Sequence, residues 1–415
     1  MKVAYYSPLP PERSGIADYS ALLLPALERR IDVAVVRRGR RRRRPRADVA
    51  LYHVGNDPHA HGWIVEALRG RPGVVVLHDF VLHHLVAGMT LGRRDRDGYL
   101  DAMQREAGVV GRLLAHGVVD GLVPPPWEAR PQDFPLTAGV LETATGVIVH
   151  SRYVEQRVRD TGYLGQVWRI PHPAWRPPES IRAADLADGG TVIGCFGHLT
   201  PAKRLPELLE AFALVREALP STRLLLVGSA PADARVEETL ARLGLGRGDD
   251  VVRFDYVDEE RLWALLAATD VCVCLRHPTM GETSGIAIRS LSLGRPLVVS
   301  DVGWFAELPD AVAAKVPTGE HEVSVLAETL GRLLADQAAR EGMGSAARAL
   351  AVGEHDVERV ADAYAAALED AAGGDTVREK VAAELAAAAD EVGMAPDGAA
   401  LGQVAAHLHE IANGD

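Results

Sequence analysis

The octapeptide TMGETSGI, residues Thr279 to Ile286, sets one carboxylate, Glu282, among glycines and hydroxyl residues. It lies where a strand-like apolar run, Val271–Leu275, gives way to a helical one. Small residues there leave backbone N–H groups open to a phosphate, and the helix end adds its partial positive charge. Glu282 can accept hydrogen bonds from sugar hydroxyls. A capping box explains the hydroxyls beside an acid, but not the composition of the whole loop. A second loop, Phe196–Arg204, carries Lys203 and Arg204 just ahead of a helix, where adjacent cations can neutralise a diphosphate. Ordinary surface charge is the plainer alternative. A third segment, Ser7–Tyr19, passes through prolines to Ser14-Gly15 at a helix start, where a phosphate can approach the backbone. A structural turn is its plainer reading, and without G-x-G-x-x-G spacing a dinucleotide site is disfavoured. His78 ends the apolar run Val74–Leu77, at the rim where a ligand would lie. A lone histidine so placed is more often satisfied within the core.

Other groups carry less. His83 and His84 follow His78 at a spacing that suggests a metal, but no carboxylate or third ligand set accompanies them. Asp95-Arg96-Asp97 sits beside a helix start in a charged stretch, and its D-x-D pattern reads as chance. Cys195, Cys272 and Cys274 fall in strand-like runs and read as buried free thiols of a reducing compartment.

The elements that must position these residues are short apolar runs alternating with amphipathic stretches, the pattern of βαβ units and parallel sheets. Strands are expected at Lys2–Tyr6, Ile31–Val36, Val49–His53, Val74–His78, Gly146–His150 and Gln166–Ile170. After a Pro-rich break from Pro171 to Gly190 the pattern restarts, with strands at Thr191–Phe196, Arg223–Val227, Val251–Phe254, Val271–Leu275 and Pro296–Ser300. The reading is α/β: two Rossmann-like, doubly wound parallel-sheet domains facing a central cleft. Their boundaries are expected at 1–175 and 191–353, with a linker at 176–190. A helix at 354–372 and a helical extension of unassigned role at 373–415 follow.

Composition is that of a globular protein. An apolar fraction of 47% and a charged fraction of 25% are those of a folded chain. The net charge of -12 excludes a general nucleic-acid binder. No apolar window approaches the roughly 20 residues a membrane span needs, and the first residues read directly into a strand, so a cytoplasmic protein is expected. Abundant Ala and Arg suggest a GC-rich bacterial genome. The run Arg37–Arg46 holds eight arginines in ten positions. A solvated loop is its preferred reading, with weak peripheral contact to an anionic membrane face as the alternative.

Taken in order, the Ser7–Tyr19 run, Leu77-His78-Asp79 and the stretch Gly281–Glu307 resemble the GT-B glycosyltransferases, specifically the retaining family called glycosyltransferase family 4. The resemblance runs from about Met1 to Ala372. It implies a nucleotide-diphosphate sugar as donor, a hydroxyl acceptor of unknown identity, and no resident cofactor or metal. It implies that Lys203 contacts the donor phosphates and that Glu282, first acid of the family's Glu-x7-Glu motif, binds the donor sugar. Thr283, Ser284, Gly285 and Ile286 would surround sugar and diphosphate. Ser14 and Gly15 would approach the phosphates from the first domain, and His78 would lie beside the transferred sugar. The final helix would cross back onto the first domain. Two positions depart from the family. Ser290 stands where the motif's second, ribose-holding acid falls, and His198 stands where the phosphate loop has Arg, a loss that Arg204 could compensate. A nucleotide-sugar epimerase and a catalytically silent nucleotide-sugar binder are the alternatives. A phosphorylase-like enzyme with pyridoxal phosphate lacks an obvious lysine.

Overall fold

The computed structural model describes residues 1–39, 45–186, 190–248 and 250–391. Within them the chain forms two six-stranded sheets, every pairing parallel. The first contains β1 Lys2–Tyr6, β2 Asp32–Val36, β3 Val49–Val54, β4 Gly73–Leu77, β5 Ala144–Val149 and β6 Gln166–Arg169. Its spatial order is β2-β1-β3-β4-β5-β6. The second contains β7 Val192–Phe196, β8 Arg223–Val227, β9 Val251–Phe254, β10 Val271–Cys274, β11 Leu297–Ser300 and β12 Ala313–Val316. Its order is β12-β11-β10-β7-β8-β9.

The runs β3, β4 and β7 are buried at every position. Crossover helices cover both sheet faces, so such strands need apolar side chains on both sides and cannot alternate with polar ones. The strand order reverses between β1 and β3 in the first sheet and between β7 and β10 in the second. At such switch points neighbouring loops diverge, and a crevice opens outside the carboxyl ends of the strands. The loops that follow β1, β3, β7 and β10 are therefore the ones that can line a site. They contain Ser14, Asn56, Lys203 and Glu282.

Two C-terminal helices return to the first sheet's domain. Helix Val357–Ala372 packs on helix Gly15–Glu28, where the Tyr19 and Tyr364 hydroxyls share a hydrogen bond of 2.7 Å. Arg30 adds ion pairs to Glu358 at 3.1 Å and Asp362 at 2.5 Å. Helix Asp375–Glu391 sets the Lys380 ammonium on the carbonyls of Leu141, Glu142 and Ala144, the last at 2.6 Å. Residues 40–44 of the basic run and 392–415 of the extension lie outside the described residues.

Candidate active site between the two sheets

Glu282 is the hub. Its Oε2 accepts from Thr279 Oγ1 at 3.0 Å and from the Met280 amide at 2.7 Å. Its Oε1 lies 2.5 Å from Arg276 Nε, so both oxygens are held before any ligand arrives. Ser284 caps the following helix, Gly285–Leu293, by accepting from the Ala287 amide at 3.2 Å. Its first turn lies against the loop that contains Lys203. The Cβ that Gly197 lacks would sit 3.0 Å from Lys203 Nζ and 3.5 Å from Ile286 Cγ1. Gly197 has φ +84, a conformation glycine adopts without strain. Lys203 donates to the Phe196 carbonyl. Burial lowers its pKa, and the charge of Arg276 lowers it further. The charge of Arg276, whose Nε pairs with Glu282, thus acts on Lys203 as well.

The first domain closes over this loop. The Met280 carbonyl accepts from the amides of Phe80 at 2.7 Å and Val81 at 3.0 Å. Gly281, at φ +85, leaves no room for a side chain, because a Cβ would meet Phe80 Cβ at 2.8 Å. Gln132 donates to the Thr279 carbonyl. Glu307 of the second domain accepts from the Arg152 amide at 3.0 Å and the Tyr153 amide at 2.6 Å, at the start of helix Arg152–Asp160. Asp79 enters the same junction. Its Oδ2 accepts from the Asn56 amide at 2.8 Å. Burial pushes its carboxyl up to about 7, and the charge of Glu282 pushes in the same direction.

Ser14 caps helix Gly15–Glu28 by accepting from the Ile16 amide at 3.2 Å. That helix start faces the second domain: Arg13 lies over the Tyr256 ring at 4.5 Å, and Asp18 lies 3.7 Å from Arg289. The Glu282 loop and the residues flanking the Ser14-Gly15 turn thus both lie where the two domains meet.

Other expected site residues are placed differently. Arg204 does not offer a free cation. It adopts φ +56 and pairs with Glu322 at 2.7 Å and Glu207 at 2.8 Å, Glu322 being only 1% exposed. Ser290 is 0% exposed and donates to the Ile286 carbonyl at 2.9 Å, so its hydroxyl faces the core and not a ribose. His198 is exposed and shares a 2.8 Å hydrogen bond with Ser229.

His78 is not solitary. Its Nε2 lies 2.9 Å from His53 Nδ1, and its ring is 5.2 Å from that of His150, which is 5.8 Å from His172. Tyr19 touches all four rings. Burial holds the four imidazoles below the usual histidine range, His150 at about 4. A signal for this column was present in the sequence: His53 falls near the end of β3, and His78 and His150 directly follow β4 and β5.

The lesser motifs are structural. Asp95 caps helix Arg96–Val119 by accepting from Gly98. His83 is held between the Phe134 carbonyl and the Tyr99 hydroxyl. All three cysteines are free thiols. Among the described residues no group of three or more His, Cys, Asp or Glu is placed to hold a metal ion, and no helix is long and apolar enough to cross a membrane.

Comparison with known proteins matches part of the chain. Residues 190–336 match the family model described as "Glycosyl transferases group 1". The 2-deoxystreptamine glucosyltransferase of Streptomyces kanamyceticus is 28% identical over 151 residues, which are 36% of this chain and 38% of that protein. The chain spans less than half the length of the curated relatives it matches. Among solved structures, sucrose-phosphate synthase from Thermosynechococcus elongatus superposes with TM-score 0.60 at 21% identity, covering 89% of this chain and 98% of that one. HepE from Anabaena, in complex with UDP and glucose, gives TM-score 0.56 at 17% identity, covering 89% and 100%. With two six-stranded parallel sheets and these neighbours, the chain has the GT-B fold.

Proposed function

We propose that this protein is a retaining glycosyltransferase of the family 4 type, moving a sugar from a nucleotide-diphosphate sugar to an acceptor hydroxyl without a metal. One observation carries the reading: the Glu282 carboxylate is held by Arg276, Thr279 and the Met280 amide in the loop that opens helix Gly285–Leu293 and that also meets the first domain at Phe80.

In this reading Glu282 accepts hydrogen bonds from the donor sugar, and its fixed partners keep it oriented. The C1–O bond to the diphosphate breaks through an oxocarbenium-like transition state while charge grows on the leaving phosphate. Lys203 and the amides of Gly285 and Ile286 stabilise that charge without reorganising, which is where preorganised donors gain most. The acceptor oxygen bonds to C1 on the face that the phosphate leaves, and its proton passes to the departing phosphate oxygen. Contact between Phe80 and the Met280 loop excludes water that would hydrolyse the donor.

A thermal-shift screen against UDP-, GDP-, ADP- and dTDP-sugars tests the donor class, because a ligand of the native state raises its melting temperature. NMR of the product's anomeric centre then tests retention. Inversion, or no shift with any donor, contradicts the reading.

A further inference from the structure

Helix Gly285–Leu293 carries a buried cation of its own, in its second turn. Arg289 is 6% exposed, and its guanidinium carbon stacks 3.6 Å from the centroid of the Trp175 ring. The stack presses the side chain back along the helix. Its Nη1 lies 3.6 Å from where Gly285 would carry a Cβ, beside the helix's opening residue. Facing it from the other domain is Asp18, in the first turn of helix Gly15–Glu28, at 3.7 Å. Glu259, first residue of helix Glu259–Ala267, lies at 3.9 Å. Neither carboxylate is within hydrogen-bond distance, which for N–H···O is about 2.7–3.2 Å. The Nε atom is buried and has no hydrogen-bond partner.

A buried guanidinium without a directly bonded anion is costly, and buried charges are normally paired. Here the charge stands by the N-terminal turns of two helices, one from each domain, and such helix ends favour an anion. A planar fork of donors in that position matches the oxygens of a phosphate better than the carboxylates that stand off from it.

We propose that Arg289 is a diphosphate-binding residue, the second cation beside Lys203 for the donor's leaving group. The inference rests on the donor class proposed above. It places the compensation for His198 on the Gly285 helix and not at Arg204, and it makes Asp18 and Glu259 the charges that the diphosphate displaces from Arg289. Because Asp18 belongs to the opposite domain, that exchange would couple donor binding to the relative position of the two domains.

Calorimetric titration with UDP, GDP, ADP and dTDP provides the test. A wild-type protein that binds none of the four overturns the donor reading and this inference with it. With whichever nucleoside diphosphate binds, R289M keeps the stack on Trp175 and removes the charge. Its affinity is expected to fall about tenfold or more, the loss of a charge-assisted hydrogen bond, with R289K recovering part of it. Binding by R289M within about twofold of wild type overturns the role of Arg289 and leaves the donor reading standing. Should R289M fail to fold, D18N decides, since it removes a competing charge and retains the cation. Tighter binding supports the inference, and unchanged or weaker binding overturns it.

Discussion

Phe80 of the first domain donates its amide to the Met280 carbonyl of the second at 2.7 Å, two residues before Glu282. The loop that orients the candidate sugar-binding carboxylate is thus also the loop that closes the cleft. Its geometry and the domain arrangement are set together, because Gly281 leaves no space between the two backbones.

Glu307 tests the same contact from its other side. It accepts from the first two amides of helix Arg152–Asp160 across the domain boundary, in addition to the Ser151 N-cap, and loss of a capping interaction costs about 1 kcal/mol. Glu307→Ala is expected to lower unfolding free energy by about that amount in urea denaturation. An unchanged midpoint would show that the cap contributes nothing.

Asp79 makes stability depend on pH in a stated direction. Its carboxyl titrates at about 7 in the folded protein against 3.8 ordinarily, so the folded state keeps a proton that the unfolded chain releases. This contribution is full below about 4 and is lost as pH rises through about 7. Asp79→Asn, neutral throughout, should reduce the loss of stability between pH 4 and 7, read from denaturation curves at several pH values.

The histidine column has the opposite sign. His53, His78, His150 and His172 are held below their ordinary value by burial, so the unfolded chain takes up protons first as pH falls. Stability present above pH 6.5 is expected to decline as pH falls, for His150 down to about 4, by up to ~1.4 kcal/mol per pH unit for each ring that titrates in the unfolded state only. His150→Gln should shallow that slope in the same series of curves. A slope identical to wild type would mean that the ring is not held neutral in the folded protein.

Legibility differed between strands and side-chain partners. Eleven of the strands followed from apolar runs because a doubly covered sheet leaves a continuous Val/Ile/Leu signature, as at Val74–Leu77. The edge strand β12, Ala313–Val316, is short, Ala-rich and carries Lys315, so it gives no such signature. Glu282 and Lys203 were readable as candidates because loop composition and order expose them. The state of Arg204 was not, since its buried partner Glu322 lies 118 positions away and no local pattern links them. Arg289 was invisible for a similar reason: its surroundings come from Trp175, Asp18 and Glu259, three segments that meet only in the folded chain. Ser290 stands at the expected motif position, yet helix rotation turns it to the core, where a hydroxyl can satisfy itself on the Ile286 carbonyl.

The central claim is that Lys203 and Glu282 engage opposite ends of one activated sugar. The initial rate of sugar transfer by Lys203→Ala and Glu282→Ala, measured against wild type with the donor and acceptor that the protein uses, tests it most directly. Each variant is expected to fold and to lose at least about two orders of magnitude in turnover, the usual consequence of removing preorganised charge stabilisation. Full activity in both variants would contradict the account.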